Sequence, residues 1–243
     1  DIKYQNVNYA VNPAANSFGG RPFMSVIVPT LSNAPMLQNT SEGYNWNVSY
    51  ELRKPVTKGF FMTASYSFGV AKSIMDGTSD QAISNWGNVY TPGSSNAVPL
   101  AISNFDPGHR MSATLAYDVR LYKDYKATFS MFYSGQSGRP YGMTVYGDIN
   151  GDTYSNDLAY LPKSASEMTF AGGTYQNFID WINADSCLAG YVGQIIPRNA
   201  CRGPWINTLD ARFSLQLPFS KVKAELTLDV LNVLNLINTK NGI

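Results

Sequence analysis

Hydrophobic and polar residues alternate with a period of two in several separate segments of the chain. In segment 44–52 every second residue is apolar and the intervening residues are polar, and segment 60–70 repeats the pattern with Phe61 as its exception. Successive side chains of a β-strand point to opposite faces, so this period predicts strands with one apolar and one polar face. The connection 53–59 contains a proline and a glycine, which predicts a turn and therefore a hairpin.

Two more hairpins are predicted by the same alternation, around the short turns 122–124 and 218–221. The complete pattern predicts strands near residues 43–53, 60–70, 110–122, 125–134, 205–217 and 222–234. Aromatic residues fall at both ends of the apolar faces, and small residues such as Ala64 and Ala113 occupy the middles. Two aromatic girdles around an apolar band are typical of a transmembrane barrel.

The connections between these strands alternate between brief turns and long segments. The long segments are 1–42, 71–109 and 135–204, and loops of this length are uncommon inside compact soluble domains. Outer-membrane barrels have short periplasmic turns and long outer loops, so we expect the long segments to face the cell exterior. The predicted fold is therefore all-β, an antiparallel transmembrane β-barrel segment with long extracellular loops. A strand of a secreted β-sandwich alternates in the same way and is the alternative.

Composition supports a membrane location and excludes one class of partner. Charged residues make up 14% of the chain, against about a quarter in an average soluble domain. The chain contains no run of about 18 apolar residues, the length a transmembrane helix needs. A mean hydropathy of −0.19 is compatible with a barrel, because only alternate residues of each strand face lipid. The net charge of +1 is spread along the chain, so nucleic acid is not an expected partner.

Seven blocks of residues, in this order, resemble the C-terminal barrel of TonB-dependent outer-membrane receptors. The resemblance is to the Oar-like group, whose members carry a carboxypeptidase-regulatory-like domain. The blocks are SDQAISNW at 79–86, FDPGHR at 105–110, SGRPY at 137–141, GDINGD at 147–152, NDL at 156–158, Arg198-Asn199 ahead of Pro204-Trp205, and LDVLNVLN at 228–235. The last block is common to many receptors of this superfamily, and the middle blocks are more specific.

This resemblance implies a barrel of about 22 strands around a plug domain. About six of those strands would lie in this chain, and the plug domain, the energy-coupling segment and the final strand are expected outside it. The implied location is the outer membrane of a Gram-negative bacterium. The implied partners are membrane lipid and lipopolysaccharide, the rest of the barrel and its plug, the TonB energy-coupling complex, an unidentified solute and a surface lipoprotein.

The expected function is TonB-dependent transport, with this chain supplying barrel wall and solute-capturing outer loops rather than an enzyme. Loop aromatics are the expected solute contacts, and these are Trp86, Tyr90, Tyr146 and Tyr154. The alternative function is a secreted β-sandwich module that binds glycans through the same aromatics and a calcium-stabilised loop. His109 is the sole histidine, which excludes a multi-histidine metal site, and its place at the start of a strand favours a structural role.

An Asp/Asn-rich run in the third long segment resembles the first positions of a calcium loop. Its candidate oxygen ligands are Asp148, Asn150, Asp152, Asn156 and Asp157. The pattern is incomplete, because Ala159 stands where a bidentate glutamate would close an EF-hand. An Asn/Asp/Gly-rich turn that caps its own backbone explains the run equally well. Calcium is therefore one of two open interpretations.

Cys187 and Cys201 are the only cysteines, and both fall in the same long segment. An outer loop is reached through the oxidising periplasm, so we expect a disulfide, with two free thiols as the alternative.

Just before the two cysteines, Phe178, Trp181 and Ile182 recur at helical spacing within 174–185, which predicts a short loop helix. We expect its apolar stripe to pack on the loop rather than to bind ligand.

Overall fold

The structure is a computed structural model that describes residues 2–15, 18–122, 125–219 and 222–237. It consists mainly of antiparallel β-strands and divides into two compact units. Unit 1 comprises Asp1–Asn45, Ala71–Asp106 and Arg139–Gly203, and unit 2 comprises Trp46–Val70, Pro107–Gly138 and Pro204–Ile243. The three segments of unit 1 correspond closely to the three predicted outer loops, 1–42, 71–109 and 135–204.

The strands are β1 (Ile2–Asn6), β2 (Tyr9–Val11), β3 (Met24–Val26), β4 (Pro35–Asn39), β5 (Tyr44–Thr57), β6 (Phe60–Ser73), β7 (Ala101–Ile102), β8 (Gly108–Arg120), β9 (Lys126–Gln136), β10 (Pro140–Tyr141), β11 (Cys201–Arg202), β12 (Ile206–Leu217) and β13 (Ala224–Val230). The α-helices are α1 (Ala82–Gly87), α2 (Tyr175–Asn183), α3 (Ser186–Ala189) and α4 (Val233–Ile237). Within the described residues, no helix is long and apolar enough to span a membrane.

Six long strands form one meandering sheet in the order β13-β12-β9-β8-β6-β5, and the short β7 pairs with β6. The antiparallel register aligns the predicted apolar positions across the sheet. One such row places Met62, Leu115 and Met131 side by side and continues through Ala211 to Val230. The row shows that the apolar sets of separate strands lie on one face, as the period of two requires.

The apolar face of this sheet is not covered by a second sheet among the described residues. Val48, Leu115 and Leu226 keep 43%, 40% and 60% of their surface exposed. A β-sandwich would bury such residues between two sheets packed about 10 Å apart. The geometry therefore contradicts the alternative in which these side chains fill a protein interior.

The opposite face is polar and carries cross-strand charge pairs. Arg212 lies directly across from Asp229, and its Nε and one terminal nitrogen donate to the two carboxylate oxygens at 2.5 and 3.0 Å. Lys126 lies 2.8 Å from a carboxylate oxygen of Asp118 on the neighbouring strand β8. Mutual pairing therefore accounts for several of the charges that the alternation places on this face.

The first hairpin has a tighter turn than the predicted segment 53–59. β5 extends to Thr57, and only Lys58 and Gly59 form the turn, both with positive φ (52° and 82°). Two residues with positive φ match the right-handed twist of the flanking strands. Pro55 lies inside β5, two residues before the strand ends at Thr57.

The last strand is shorter than the predicted 222–234. β13 ends at Val230, and α4 follows after Asn232, which has a φ of 52°. Asparagine tolerates this left-handed conformation better than most residues, so it can end a strand abruptly. Parts of the predicted turns 122–124 and 218–221 lie outside the described residues.

The described residues of unit 1 form small antiparallel pairs and three apolar clusters. β1 pairs with β4, β2 with β3, and β10 with β11. The largest cluster contains the buried residues Ala159, Leu161, Ile182, Leu188, Ile196 and Cys201. A second cluster joins Tyr9, Met24 and Trp86, and a third joins Ile74, Val89 and Val98. The long segments are therefore folded together rather than extended as separate loops.

Candidate functional site

The four aromatic residues predicted to contact a solute lie in different environments of unit 1. Trp86 is fully buried, and its indole N–H donates to Asn96 Oδ1 at 2.8 Å. Its ring packs against Tyr9 and Tyr154, with centroids 5.3 and 5.6 Å away. A side chain without accessible surface cannot touch a solute, so Trp86 is a core residue and that prediction is corrected.

The other three predicted residues do not form one site either. Tyr154 is half-buried, with its ring edge against Trp86, and it belongs to the same apolar cluster. Tyr146 is fully exposed. Tyr90 is 41% exposed and lines a small cleft, so it is the predicted residue that lies at a concave surface.

This cleft, here called the polar cleft, has a volume of about 40 Å³. Its lining consists mainly of polar side chains, from Asp76, Thr78, Asn85, Asn88, Tyr90, Asn104 and Arg198. A water molecule needs about 10–15 Å³ by this measure. The polar cleft can therefore accommodate a few water molecules or one small polar group.

Arg198 is almost completely buried beside the polar cleft. One terminal nitrogen donates to the backbone oxygen of Ser73, and its Nε has no hydrogen-bond partner among the described residues. The next residue, Asn199, anchors this segment by donating to Ile102 O and to Asn104 Oδ1, both at 2.8 Å. Burial lowers the pKa of Arg198, and the nearby charge of Asp76 acts in the opposite direction.

Asp76 supplies the negative charge of the polar cleft. Burial raises the pKa of its carboxyl, but hydrogen bonds from Ser103, from the Asn104 backbone and from Ser73 outweigh burial, so the net pKa lies below its usual value. The Ser103 hydroxyl donates at 2.6 Å and the Asn104 N–H at 3.0 Å. The carboxylate is therefore ionised at neutral pH, opposite a buried guanidinium. This arrangement can bind a group that both donates and accepts hydrogen bonds.

The predicted calcium loop uses most of its oxygen atoms within the protein. Asp148 accepts backbone N–H bonds from Gly151 at 2.6 Å and Thr153 at 2.8 Å. Asp157 forms a fully buried ion pair with Arg21 at 3.0 Å, and its second oxygen accepts the Ile149 N–H at 2.7 Å. These contacts match the alternative interpretation, a turn that caps its own backbone.

The remaining candidate ligands form a buried polar network. Asp152 is fully buried and accepts hydrogen bonds from Ser95 at 2.6 Å, from the Tyr154 N–H at 2.9 Å, and from the amides of Asn150 and Asn156. Burial raises the pKa of this carboxyl despite those bonds. Within the described part of the chain, no group of three or more His, Cys, Asp or Glu side chains is placed to hold a metal ion. Calcium binding here stays a prediction.

The two cysteines form a disulfide, Cys187–Cys201, which links α3 to β11.

The helix predicted within 174–185 is α2, and Thr174 caps it with a reciprocal pair of hydrogen bonds to Asn177. Ile182 is fully buried, as expected for the apolar stripe, whereas Trp181 is 57% exposed. The expectation that the whole stripe packs on the loop is therefore wrong at Trp181.

His109 lies in unit 2, among aromatic residues of the predicted outer girdle. Its ring stacks on Phe68 with centroids 4.3 Å apart, and its Nδ1 lies 2.7 Å from the Tyr66 hydroxyl. Trp205 also lies near the His109 ring, with a centroid distance of 6.0 Å. These contacts agree with a structural role for the histidine.

The two charged residues of the polar cleft, Asp76 and Arg198, were not predicted as site residues. Asp76 and Arg198 come from distant parts of the chain, and although Arg198 belongs to one of the blocks that resemble the receptor family, no motif pairs it with Asp76. Trp181 was recognised as part of a helix, but periodicity alone does not say which member of an apolar stripe stays exposed. Only the folded arrangement of unit 1 identifies these positions.

Comparison with known families agrees with the sheet geometry. The sequence profile of the family described as outer membrane beta barrel domain matches residues 2–242. No curated protein and no solved structure matches the chain. The match spans both units and nearly the whole chain, so this protein belongs to the outer membrane β-barrel domain family and resides in the outer membrane of a Gram-negative bacterium.

Proposed function

We propose that this chain is the C-terminal part of the barrel of a TonB-dependent transporter, of the Oar-like group. The meandering sheet is the barrel wall, and unit 1 is the set of outer loops that captures a solute. The observation that carries the proposal is the two-faced sheet of unit 2, whose long connections all leave the same end. The protein performs no covalent chemistry.

The two faces suit lipid on one side and an aqueous lumen on the other. Apolar rows such as the one through Leu115 would contact acyl chains, and the Arg212–Asp229 pair would lie within the lumen. Lipid offers no hydrogen bonds to backbone groups, so the edge strands β5 and β13 require partners from further strands of the same barrel. This requirement supports a barrel larger than the six strands described.

The seven sequence blocks support the transporter assignment, and the folded loops support solute capture. Binding sites in proteins are usually concave and largely preformed. Unit 1 meets this requirement, because the apolar cluster around Trp86 joins all three long segments, and a larger apolar cluster and the disulfide hold the third segment together. The plug domain, the TonB complex, lipopolysaccharide and a surface lipoprotein are the partners that the proposal includes.

The test uses the full-length polypeptide, purified from outer membranes in detergent, and the purified periplasmic domain of TonB. We expect the two to co-purify, and we expect deletion of the energy-coupling segment ahead of the plug to abolish the complex. The Tyr146→Ala variant is the control, since it alters a fully exposed loop side chain and should bind TonB like the wild type.

Two results would overturn the transport proposal. One is a full-length protein that enters the outer membrane but does not bind TonB. The other is a polypeptide in which a soluble domain, instead of a plug, precedes this chain.

A further inference from the structure

Beside the disulfide, unit 1 contains a second concave surface, here called the Trp181 cavity. Its volume is about 390 Å³, within the range of about 300–1,000 Å³ typical of sites for small organic molecules. Apolar atoms dominate its walls, which are formed chiefly by Tyr141, Met143, Trp181, Ala184, Asp185 and Leu188.

The walls of this cavity are held rigidly. The capping hydrogen bonds of Thr174 and the burial of Ile182 fix α2, which carries Trp181. Asp185 caps α3 by accepting N–H bonds from Cys187 at 2.8 Å and Leu188 at 3.2 Å. A preformed site loses less conformational entropy on binding than a flexible one. The exposed Trp181 ring is therefore held in a fixed position in which it can contact a ligand.

The charge of the cavity has one sign. Asp185 is the charged residue of the lining, and segment 164–197 contains three acidic residues and no lysine, arginine or histidine. The Tyr141 hydroxyl donates to Asp185, and this bond is the main cause that holds the pKa of the carboxyl below its usual value. Burial and the same partner raise the pKa of Tyr141 to about 12. At neutral pH the site therefore carries a carboxylate and a neutral phenol.

An indole face, a carboxylate and apolar walls together favour a cation with an apolar body. Tryptophan binds cations over its ring face better than the other aromatic residues do. A neutral apolar ligand would gain nothing from the carboxylate, and an anion would be repelled by it. We propose that the Trp181 cavity binds an organic cation, a primary amine or guanidinium on an apolar body, held between the Trp181 ring and Asp185.

The cation could belong to a free amine or to a basic side chain of a peptide, since both present the same chemistry. The role of this binding in solute capture rests on the proposed transport function, whereas the binding itself is a property of unit 1. The inference names the class of molecule that the outer loops recognise.

Calorimetric titration of the full-length protein in detergent tests the inference. The probes are benzylamine, with benzyl alcohol as its neutral counterpart, and N-acetylargininamide, with N-acetylcitrullinamide as its neutral counterpart. We expect at least one cationic probe to bind about fivefold or more tightly than its counterpart, and to weaken as salt increases. The probe with the higher affinity distinguishes a free amine from a peptide side chain.

Two variants act on the site and two are controls. Trp181→Ala removes the ring, and Asp185→Asn removes the charge while keeping a residue that caps α3 well. Each should weaken cation binding by about fivefold or more. Phe105→Ala and Asp80→Asn remove an exposed ring and an exposed carboxylate elsewhere in unit 1 and should leave the affinity unchanged. Because Asp185 also supports the fold, Trp181→Ala provides the independent result.

Equal affinity for cationic and neutral probes would overturn the inference, and so would site variants that behave like the controls. Loss of TonB binding with retained cation binding would overturn only the transport proposal. Retained TonB binding with no cation selectivity would overturn only the inference drawn from the cavity.

Discussion

Gly87 illustrates how a single residue can determine the packing of unit 1. It ends α1 in the buried layer beside Trp86, and a Cβ at this position would overlap the ring of Tyr154. The Tyr154 ring is itself held against the indole of Trp86. Glycine is therefore required here for close approach rather than for an unusual backbone conformation.

Gly87→Ala should destabilise unit 1 by about 1–3 kcal/mol, because overpacking forces the Tyr154 ring to move. Thermal unfolding of the full-length protein, followed by protease resistance of the loops, measures the effect. Gly172→Ala is the matched control, since a Cβ there meets nothing within 4 Å. Equal loop stability in the two variants would contradict the packing described for Tyr154.

Trp86 shows which residue properties the sequence could not predict. Its residue type suits a binding surface or a core equally well. Burial follows from Tyr9 and Met24, which approach it from the first long segment, and from the hydrogen bond to Asn96. None of these contacts leaves a local pattern in the sequence. The disulfide between Cys187 and Cys201 could be predicted from the sequence, because two cysteines in one segment allow only one intramolecular pair.

At the scale of elements, α2 is the support of the Trp181 cavity, and its start depends on Thr174. The Thr174 side chain accepts the Asn177 N–H at 3.2 Å, and the Asn177 side chain accepts the Thr174 N–H at 3.2 Å. Both bonds satisfy backbone donors that a helix start would otherwise leave unpaired. The orientation of Trp181 therefore depends on a cap that lies about two helical turns earlier.

Thr174→Ala should destabilise unit 1 by about 1 kcal/mol, the usual cost of removing an N-cap. Hydrogen exchange of the α2 amides in the full-length protein should show faster exchange in the first turn. Ser164→Ala is the control, because Ser164 precedes a short helix at Ala165–Glu167 without capping it through its side chain. Unchanged exchange in α2 of the Thr174 variant would show that the cap is dispensable.

The long strands were predictable because their signal is local. A period of two needs only neighbouring residues, and it identified all three hairpins of the main sheet. The ends of these strands were less predictable. β5 continues through Pro55, and β13 stops before Asn232, whose φ is positive. The pairs β1–β4 and β10–β11 were missed, since short strands joined by distant pairing carry too few residues to show a period.

At the scale of the whole molecule, the two faces of the sheet determine which substitutions the membrane tolerates. Leu115 and Thr114 are neighbours in β8 and point to opposite faces. Leu115 aligns with Met62 and Met131 on the apolar face, and Thr114 aligns with Phe132 on the other. One strand therefore offers a matched pair of positions, one facing lipid and one facing the lumen.

Leu115→Arg should reduce assembly in the outer membrane, because an arginine facing lipid near the bilayer centre costs about 2–4 kcal/mol. Thr114→Arg should assemble like the wild type, because its guanidinium can remain in water. The measurement is the fraction of full-length protein that migrates as a folded band in unboiled gel samples. Equal assembly of the two variants would contradict the assignment of the faces.

The continuous pairing of β9 with β8 and β12 limits where residues can be inserted into this protein. Residues 126–136 pair with β8 on one side and β12 on the other without a bulge. Inserting one residue there would turn Phe129 and Met131 toward water and their neighbours toward lipid, along the rest of the strand. Length variation is therefore confined to the connections, and an affinity tag placed beside the exposed Gly172 would leave every strand pairing intact.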